Sequence, residues 1–140
     1  MNPKKVLVVD DEEFVRQLIH IKLKFSGIET IEAGNGIEAI EKALSEKPDL
    51  ILLDVMMPKM NGFEACQRLK ENKETAHIPI VMLTARGDPS AKERGGHVGA
   101  LEYLTKPFSP QKLAERILEI LNQEPEKKGI DADSQTIKKP

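Results

Sequence analysis

Four short apolar runs in this chain each end on a polar or charged residue. Lys5-Val6-Leu7-Val8-Val9 leads into Asp10-Asp11, and Asp49-Leu50-Ile51-Leu52-Leu53 leads into Asp54. Ile80-Val81-Met82-Leu83 leads into Thr84, and Leu101-Glu102-Tyr103-Leu104-Thr105 leads into Lys106-Pro107. Such runs read as buried strands. If the strands are parallel neighbours, their C-terminal ends converge in one crevice, where open α/β sheets place their ligands. That crevice would hold three carboxylates, a hydroxyl and an ammonium, which suit a hard divalent cation and a phosphoryl group.

Helical patterns separate the runs. Helices are expected over residues 12–26, with Gly27 at the position just past the end, and over 37–45, closed by Pro48. Others are expected from the end of the loop Pro58-Lys59-Met60-Asn61-Gly62 to about 72, over 89–98, and over 110–122. A further strand is expected over 29–33, with Asn35-Gly36 as a turn and Pro79 opening the strand that ends at Thr84. Five such strand–helix units imply a parallel sheet with helices on both faces and right-handed crossovers. After Gln123 the chain is too poor in apolar residues to pack and reads as a polar tail or linker.

The bulk properties exclude several classes. A chain of 140 residues suggests one domain that folds without disulfide or metal. Charged residues make up 31% with a net charge of -2, so there is no electrostatic reason to expect direct nucleic-acid contact. Cys66 is the single cysteine, which excludes a disulfide within the chain and suits a reducing, cytoplasmic compartment. No apolar run is long enough for a signal-peptide core or a membrane span.

The first strand–helix turn reads Asp10-Asp11-Glu12-Glu13. It would repel a bare phosphate, which argues against flavin or nucleotide binding, and it would attract Mg²⁺. A helix dipole accounts for Glu12 and Glu13. It does not account for Asp54 at the end of a different apolar strand. With a cation present, Asp54 can act as a nucleophile and form an acyl phosphate. Lys106 and Thr84 would hold the other phosphoryl oxygens, so the protein contributes positioning and charge stabilisation.

Four stretches resemble the receiver domain of two-component response regulators. They are Val8-Val9-Asp10-Asp11-Glu12, Leu53-Asp54-Val55-Met56-Met57-Pro58-Lys59-Met60-Asn61-Gly62, Val81-Met82-Leu83-Thr84-Ala85, and Tyr103-Leu104-Thr105-Lys106-Pro107-Phe108. The resemblance covers residues 4–122 and leaves 123–140 as the tail. It implies a doubly wound α/β fold with a five-stranded parallel sheet, order 2-1-3-4-5, and five helices on both faces. It implies that Asp54 is the phosphoacceptor and that a histidine kinase or histidine phosphotransfer protein is the donor. Metal ligation would fall to Asp11, Asp54 and the Met56 carbonyl, with Asp10 acting through water. Thr84 and Tyr103 would be the switch pair and Lys106 the phosphate contact. The bond before Pro107 is a candidate for cis. The chain would be a signalling module rather than an enzyme, supporting its own phosphorylation and dephosphorylation. Its output would pass through the face of the helix at 89–98, the fifth strand and the last helix, to a downstream protein or a phosphorylation-dependent dimer.

Two departures stand out. Gly95-Gly96 lies inside the expected helix at 89–98, at about 1 kcal/mol each relative to alanine. Residues 123–140 are not expected to form an output domain, so the chain would be either a single-domain regulator or a receiver cut from a longer protein. Two other functions share some of the chemistry. A haloacid-dehalogenase-like phosphatase would carry a second aspartate two residues after the nucleophile, where this chain has Met56. A pseudo-receiver that only binds partners would not need the intact set Asp11, Asp54, Thr84 and Lys106.

Other residues carry weaker signals. His20, His77 and His97 share no face, and Cys66 reads as a small core residue. The first helix has apolar residues over half its circumference, wider than a core stripe. Either it is deeply buried, or Phe14, Ile21 and Phe25 stay exposed as a docking surface for a donor helix. Met56 and Arg86 would flank the path of a hydrolytic water. Neither can act as a base, so either the phosphoryl group is long-lived or both are surface residues without kinetic effect.

Overall fold

A computed structural model of the chain describes residues 3–57, 59–84, 99–106 and 108–123. Strands β1 (Lys5–Val9), β2 (Glu29–Ala33), β3 (Leu50–Asp54), β4 (Ile80–Thr84) and β5 (Glu102–Thr105) form one sheet in the order β2-β1-β3-β4-β5. All four pairings are parallel. The described helices are α1 (Glu13–Phe25), α2 (Gly36–Glu46), α3 (Gly62–Glu71) and α4 (Pro110–Asn122). The strand order and element types agree with the sequence reading. The helix expected at 89–98 with Gly95-Gly96, together with Arg86, His97, Pro107 and the tail from 124, lies outside the described residues.

Alternation along the strands divides the core into two layers. Leu7, Val9, Ile51, Leu53, Ile80 and Met82 pack under Ala39, Ala43, Ala65, Cys66 and Leu69 of α2 and α3. Val6, Val8, Leu50, Leu52, Val81 and Leu83 pack under Ile19, Leu23, Leu113, Ile117 and Leu121 of α1 and α4. Central strands β3 and β4 are buried on both faces, which explains their unbroken apolar runs.

Helix ends follow local chemistry. Ser26 caps α1, and Gly27 takes φ +80, a left-handed conformation that suits glycine. The Asn35-Gly36 turn expected from sequence is instead the start of α2. The Asn35 side chain accepts from the Glu38 N–H and Gly36 is the first helical residue, because asparagine serves turns and N-caps by the same side-chain hydrogen bond. Asn61 caps α3 in the same way, and Ser109 followed by Pro110 starts α4. Helix α1 has no side-chain cap at Glu12. Its entry is held from β1 instead, by Asp10 Oδ1 accepting from the Glu12 N–H at 2.9 Å.

Helix α1 is not deeply buried. Ile19 and Leu23 enter the core, while Phe14, Leu18, Ile21 and Phe25 are 73%, 38%, 50% and 84% exposed. Phe14, Ile21 and Phe25 are therefore exposed rather than deeply buried. Among the described residues, no helix is long and apolar enough to cross a membrane.

Candidate functional site

Because β1, β3, β4 and β5 are parallel neighbours, their C-terminal ends line up at one edge of the sheet. Asp10 follows β1, Asp54 ends β3, Thr84 ends β4 and Lys106 follows β5. One carboxylate oxygen each from Asp10, Asp11 and Asp54 lies within 4.8 Å of the others, the one such acidic cluster among the described residues. Asp10 is fully buried, Asp54 nearly so, and Asp11 is at the rim. Lys106 Nζ lies 3.2 Å from Asp10 Oδ2 and 3.3 Å from Asp54 Oδ1. The Lys106 main-chain N–H donates to the Thr84 carbonyl at 2.8 Å, which fixes the two strand ends together.

The charges here are not balanced. Burial pushes the Asp54 carboxyl up to about 6, and the negative charge of Asp10 adds to the rise. Lys106 and the Met56 N–H pull it down. Burial also works against the Lys106 ammonium, but Asp54 and Asp10 outweigh it and raise its pKa. Three clustered carboxylates face one ammonium, an arrangement of oxygen donors that fits a hard divalent cation. Both Asp10 oxygens already accept, one from Glu12 and one from Lys106.

Asp54 is held by a close approach of backbone. The Gly62 N–H donates to the Val55 carbonyl at 2.8 Å. A Cβ on Gly62 would lie 2.3 Å from the Asp54 carbonyl oxygen and 2.8 Å from Val55 Cα, so only glycine fits at the start of α3. Met56, two residues on, is 69% exposed.

Thr84 is buried, and Tyr103 is half-buried against the core under α2 and α3. Met82 pairs with Tyr103 and Thr84 with Thr105, so Thr84 and Tyr103 share one face of the sheet on a diagonal. The structure thus brings together Asp10, Asp11, Asp54, Thr84 and Lys106, with Met56 beside them and Tyr103 one register step away.

Other candidates fall elsewhere. His20 pairs with the Thr30 hydroxyl, and His77 precedes β4 at the opposite end of the sheet. Cys66 is buried, and burial pushes its thiol up to about 11, which leaves it unreactive. Two contributors were not singled out from sequence. Gly62 appeared only as part of a loop. Arg16 on α1 donates from Nη1 to the Asp10 carbonyl at 2.7 Å and from Nε to Glu32 Oε1 at 3.0 Å. Only the pairing of β1 with β2 shows that Glu32 stands beside this turn.

The sequence matches the response regulator receiver domain family over residues 6–118. It is 48% identical over 118 residues to the alkaline phosphatase synthesis transcriptional regulatory protein PhoP of Bacillus subtilis, covering 84% of this chain and 48% of that protein. It is 46% identical over 118 residues to the phosphate regulon transcriptional regulatory protein PhoB of Pseudomonas aeruginosa, covering 84% and 52%. The chain therefore spans about half the length of these relatives. The fold superposes on chemotaxis protein CheY4 of Vibrio cholerae with a TM-score of 0.80 at 37% identity, covering 85% of this chain and 99% of that one. The Francisella response regulator 1452 receiver domain gives 0.78 at 34% identity, covering 87% and 98%.

Proposed function

The chain belongs to the response regulator receiver domain family, and from that premise we propose that it is a phosphorylation-dependent switch whose phosphoacceptor is Asp54. The observation that carries this reading is the Lys106 ammonium held between the buried carboxylates of Asp10 and Asp54. A carboxylate at a strand end, beside a cation and under a rim of acidic oxygens, is suited to attack phosphorus.

In the proposed step an Asp54 oxygen forms a bond to phosphorus while the bond from phosphorus to the donor's leaving group breaks. With its carboxyl at about 6, Asp54 is mostly ionised at neutral pH and can attack. Asp11, Asp54 and the Met56 carbonyl would hold Mg²⁺, with Asp10 acting through water. When bound, Mg²⁺ supplies positive charge to the phosphoryl oxygens. Lys106 then leaves its bridge between the carboxylates and meets a phosphoryl oxygen. The Thr84 hydroxyl donates to another, and the Tyr103 ring follows into the space released. Both movements need a state that phosphorylation favours by differential contacts.

The donor in this reading is a phosphohistidine on a histidine kinase or histidine phosphotransfer protein. The exposed row Phe14, Leu18, Ile21 and Phe25 offers it an apolar seam. The receiver occupies 4–122. PhoP and PhoB are named as transcriptional regulators. If this chain serves the same end, it supplies the phosphorylation input, and DNA contact falls to the part of those relatives that it does not match. The chain's own role is that of a phosphoacceptor and not of a turnover enzyme.

Incubation with acetyl phosphate and Mg²⁺ tests the reading. One phosphoryl group retained per chain supports a switch. Sustained turnover of the donor would favour a phosphatase, and no uptake would favour a module that only binds partners.

A further inference from the structure

Arg16 is half-buried on the first turns of α1, and its two contacts run in different directions. Nη1 donates to the main-chain carbonyl of Asp10 at 2.7 Å, and Nε donates to Glu32 Oε1 on β2 at 3.0 Å. The guanidinium therefore ties three pieces together: the end of β1, the start of α1 and the neighbouring strand β2. Each piece is itself braced. The Asp10 N–H donates to the Ala33 carbonyl, and Lys42 Nζ of α2 donates to the Glu32 carbonyl at 3.1 Å. Gly34 stands beside the guanidinium, and its N–H is held by Glu38 Oε1 at 2.8 Å.

This matters because α1 lacks a side-chain N-cap. The Asp10 N–H and both its carboxylate oxygens have partners in Ala33, Glu12 and Lys106, and Arg16 is what holds the Asp10 carbonyl. The bond to the Asp10 carbonyl sets the direction in which the turn leaves β1. That direction decides where the Asp11 carboxylate stands relative to Asp54. A second point concerns charge. A lone cation this close to an acidic cluster would compete with a metal ion. Glu32 pairs with Arg16, so the guanidinium can fix the turn while the negative field of the cluster remains.

We propose that Arg16 is a positioning residue for the divalent cation held by Asp11 and Asp54, acting through the Asp10 main chain and oriented by Glu32. This rests on the reading of the acidic cluster as a Mg²⁺ site. Outer contacts that hold a ligand in place commonly account for about tenfold in metal affinity.

The two ways in which Arg16 could act have opposite signs. If its charge dominates, its removal tightens Mg²⁺ binding. If its hydrogen bonds dominate, its removal weakens binding. Mg²⁺ affinity is measured by calorimetry on the full chain at a temperature where every variant is folded, for wild type, Arg16→Met, Arg16→Lys and Glu32→Gln. The proposal gives about tenfold weaker binding for Arg16→Met. Arg16→Lys, which keeps a single donor, recovers part of the loss, and Glu32→Gln, which keeps an acceptor but uncovers the guanidinium charge, weakens binding by less than Arg16→Met. A residue that only stabilises the fold would lower the unfolding temperature and leave affinity in the folded protein unchanged. Affinity in Arg16→Met that equals or exceeds that of a Mg²⁺-binding wild type would overturn the proposal alone. A wild type that takes up no Mg²⁺ would overturn the metal reading and this inference with it.

Discussion

The Lys106 ammonium stands 3.3 Å from Asp54 Oδ1, at the ends of strands that share only β4 between them. The same ammonium reaches Asp10. Among the described residues it is the cation paired directly with the cluster's carboxylates, and it holds the site together before any phosphoryl group arrives. Lys106→Met should leave two buried carboxylates facing each other. The metal-free variant should lose roughly 2–4 kcal/mol of stability, and Mg²⁺ should return part of it. The Asp54 carboxyl, at about 6 in the wild type, should rise further. Carboxyl titration by NMR would check the last point, and a fall in pKa would contradict the role given to Lys106.

The Asp54 shift also gives a stability prediction with a definite sign. Its carboxyl goes from 3.8 to about 6 on folding, because burial and Asp10 disfavour the charge. The folded state therefore holds this proton more tightly than the unfolded state. Ionised Asp54 opposes folding above pH 6, and that cost is relieved as pH falls through 6 toward 3.8. In chelator, Asp54→Asn should be more stable than wild type by roughly 1–3 kcal/mol at about pH 7.5, with the gap closing by about pH 4. Urea unfolding at several pH values measures it. An Asn variant that is less stable throughout would show that Lys106 already outweighs the burial.

Gly62→Ala tests how Asp54 is held. The added carbon meets main-chain atoms of Asp54 and Val55, which cannot swing aside as a side chain would. A loss of roughly 1–3 kcal/mol is expected, with weaker Mg²⁺ binding in the folded fraction. Gly27→Ala is the control: it meets nothing within 4 Å, is strained only by φ +80 and lies far from the site in sequence. Equal Mg²⁺ affinity in wild type and Gly62→Ala would show that the loop absorbs the clash without moving Asp54.

The chain has one tyrosine and no tryptophan, so its intrinsic fluorescence reports on Tyr103 alone. Phosphorylation should change that emission as the ring moves. Thr84→Val should blunt the change while leaving uptake of a phosphoryl group measurable. Emission that is the same with and without phosphorylation in the wild type would remove Tyr103 from the switch.

Much of this was legible from sequence because the signals are local and strong. The apolar runs ending in Asp10, Asp54, Thr84 and Lys106 gave both the strands and the direction of their tips. The strand order gathers those tips, and the family match accords with the resemblance read from the same residues. What was not legible depends on atoms brought together from distant segments. The contact of Gly62 with the Asp54 backbone follows from how the β3–α3 loop folds back, which composition does not encode. Arg16 was not singled out from sequence, because its role depends on the β1–β2 register that places Glu32 beside it. Asn35 misled in the other direction, since the hydrogen bond that makes asparagine a turn residue also makes it a cap. For α1, the width of its apolar face left burial and exposure open, and the packing of Ile19 and Leu23 decided it.

That exposed face yields a prediction about transfer. Changing Phe14, Ile21 and Phe25 together to serine should leave the fold intact, because all three are at least half exposed. Labelling by acetyl phosphate should be unaffected. Transfer from a phosphohistidine donor should slow by about tenfold or more, as apolar anchors are lost from the encounter. Equal transfer rates would assign the face to something other than the donor.

The most direct test is the site of the phosphoryl group itself. Wild type and Asp54→Asn are treated with acetyl phosphate, with Mg²⁺ and with chelator, and intact mass is followed by peptide mapping. The account predicts one phosphoryl group on wild type, dependent on Mg²⁺ and mapping to the peptide with Asp54, and none on the variant. Labelling of Asp54→Asn as strong as wild type, or a label on another peptide, would contradict it.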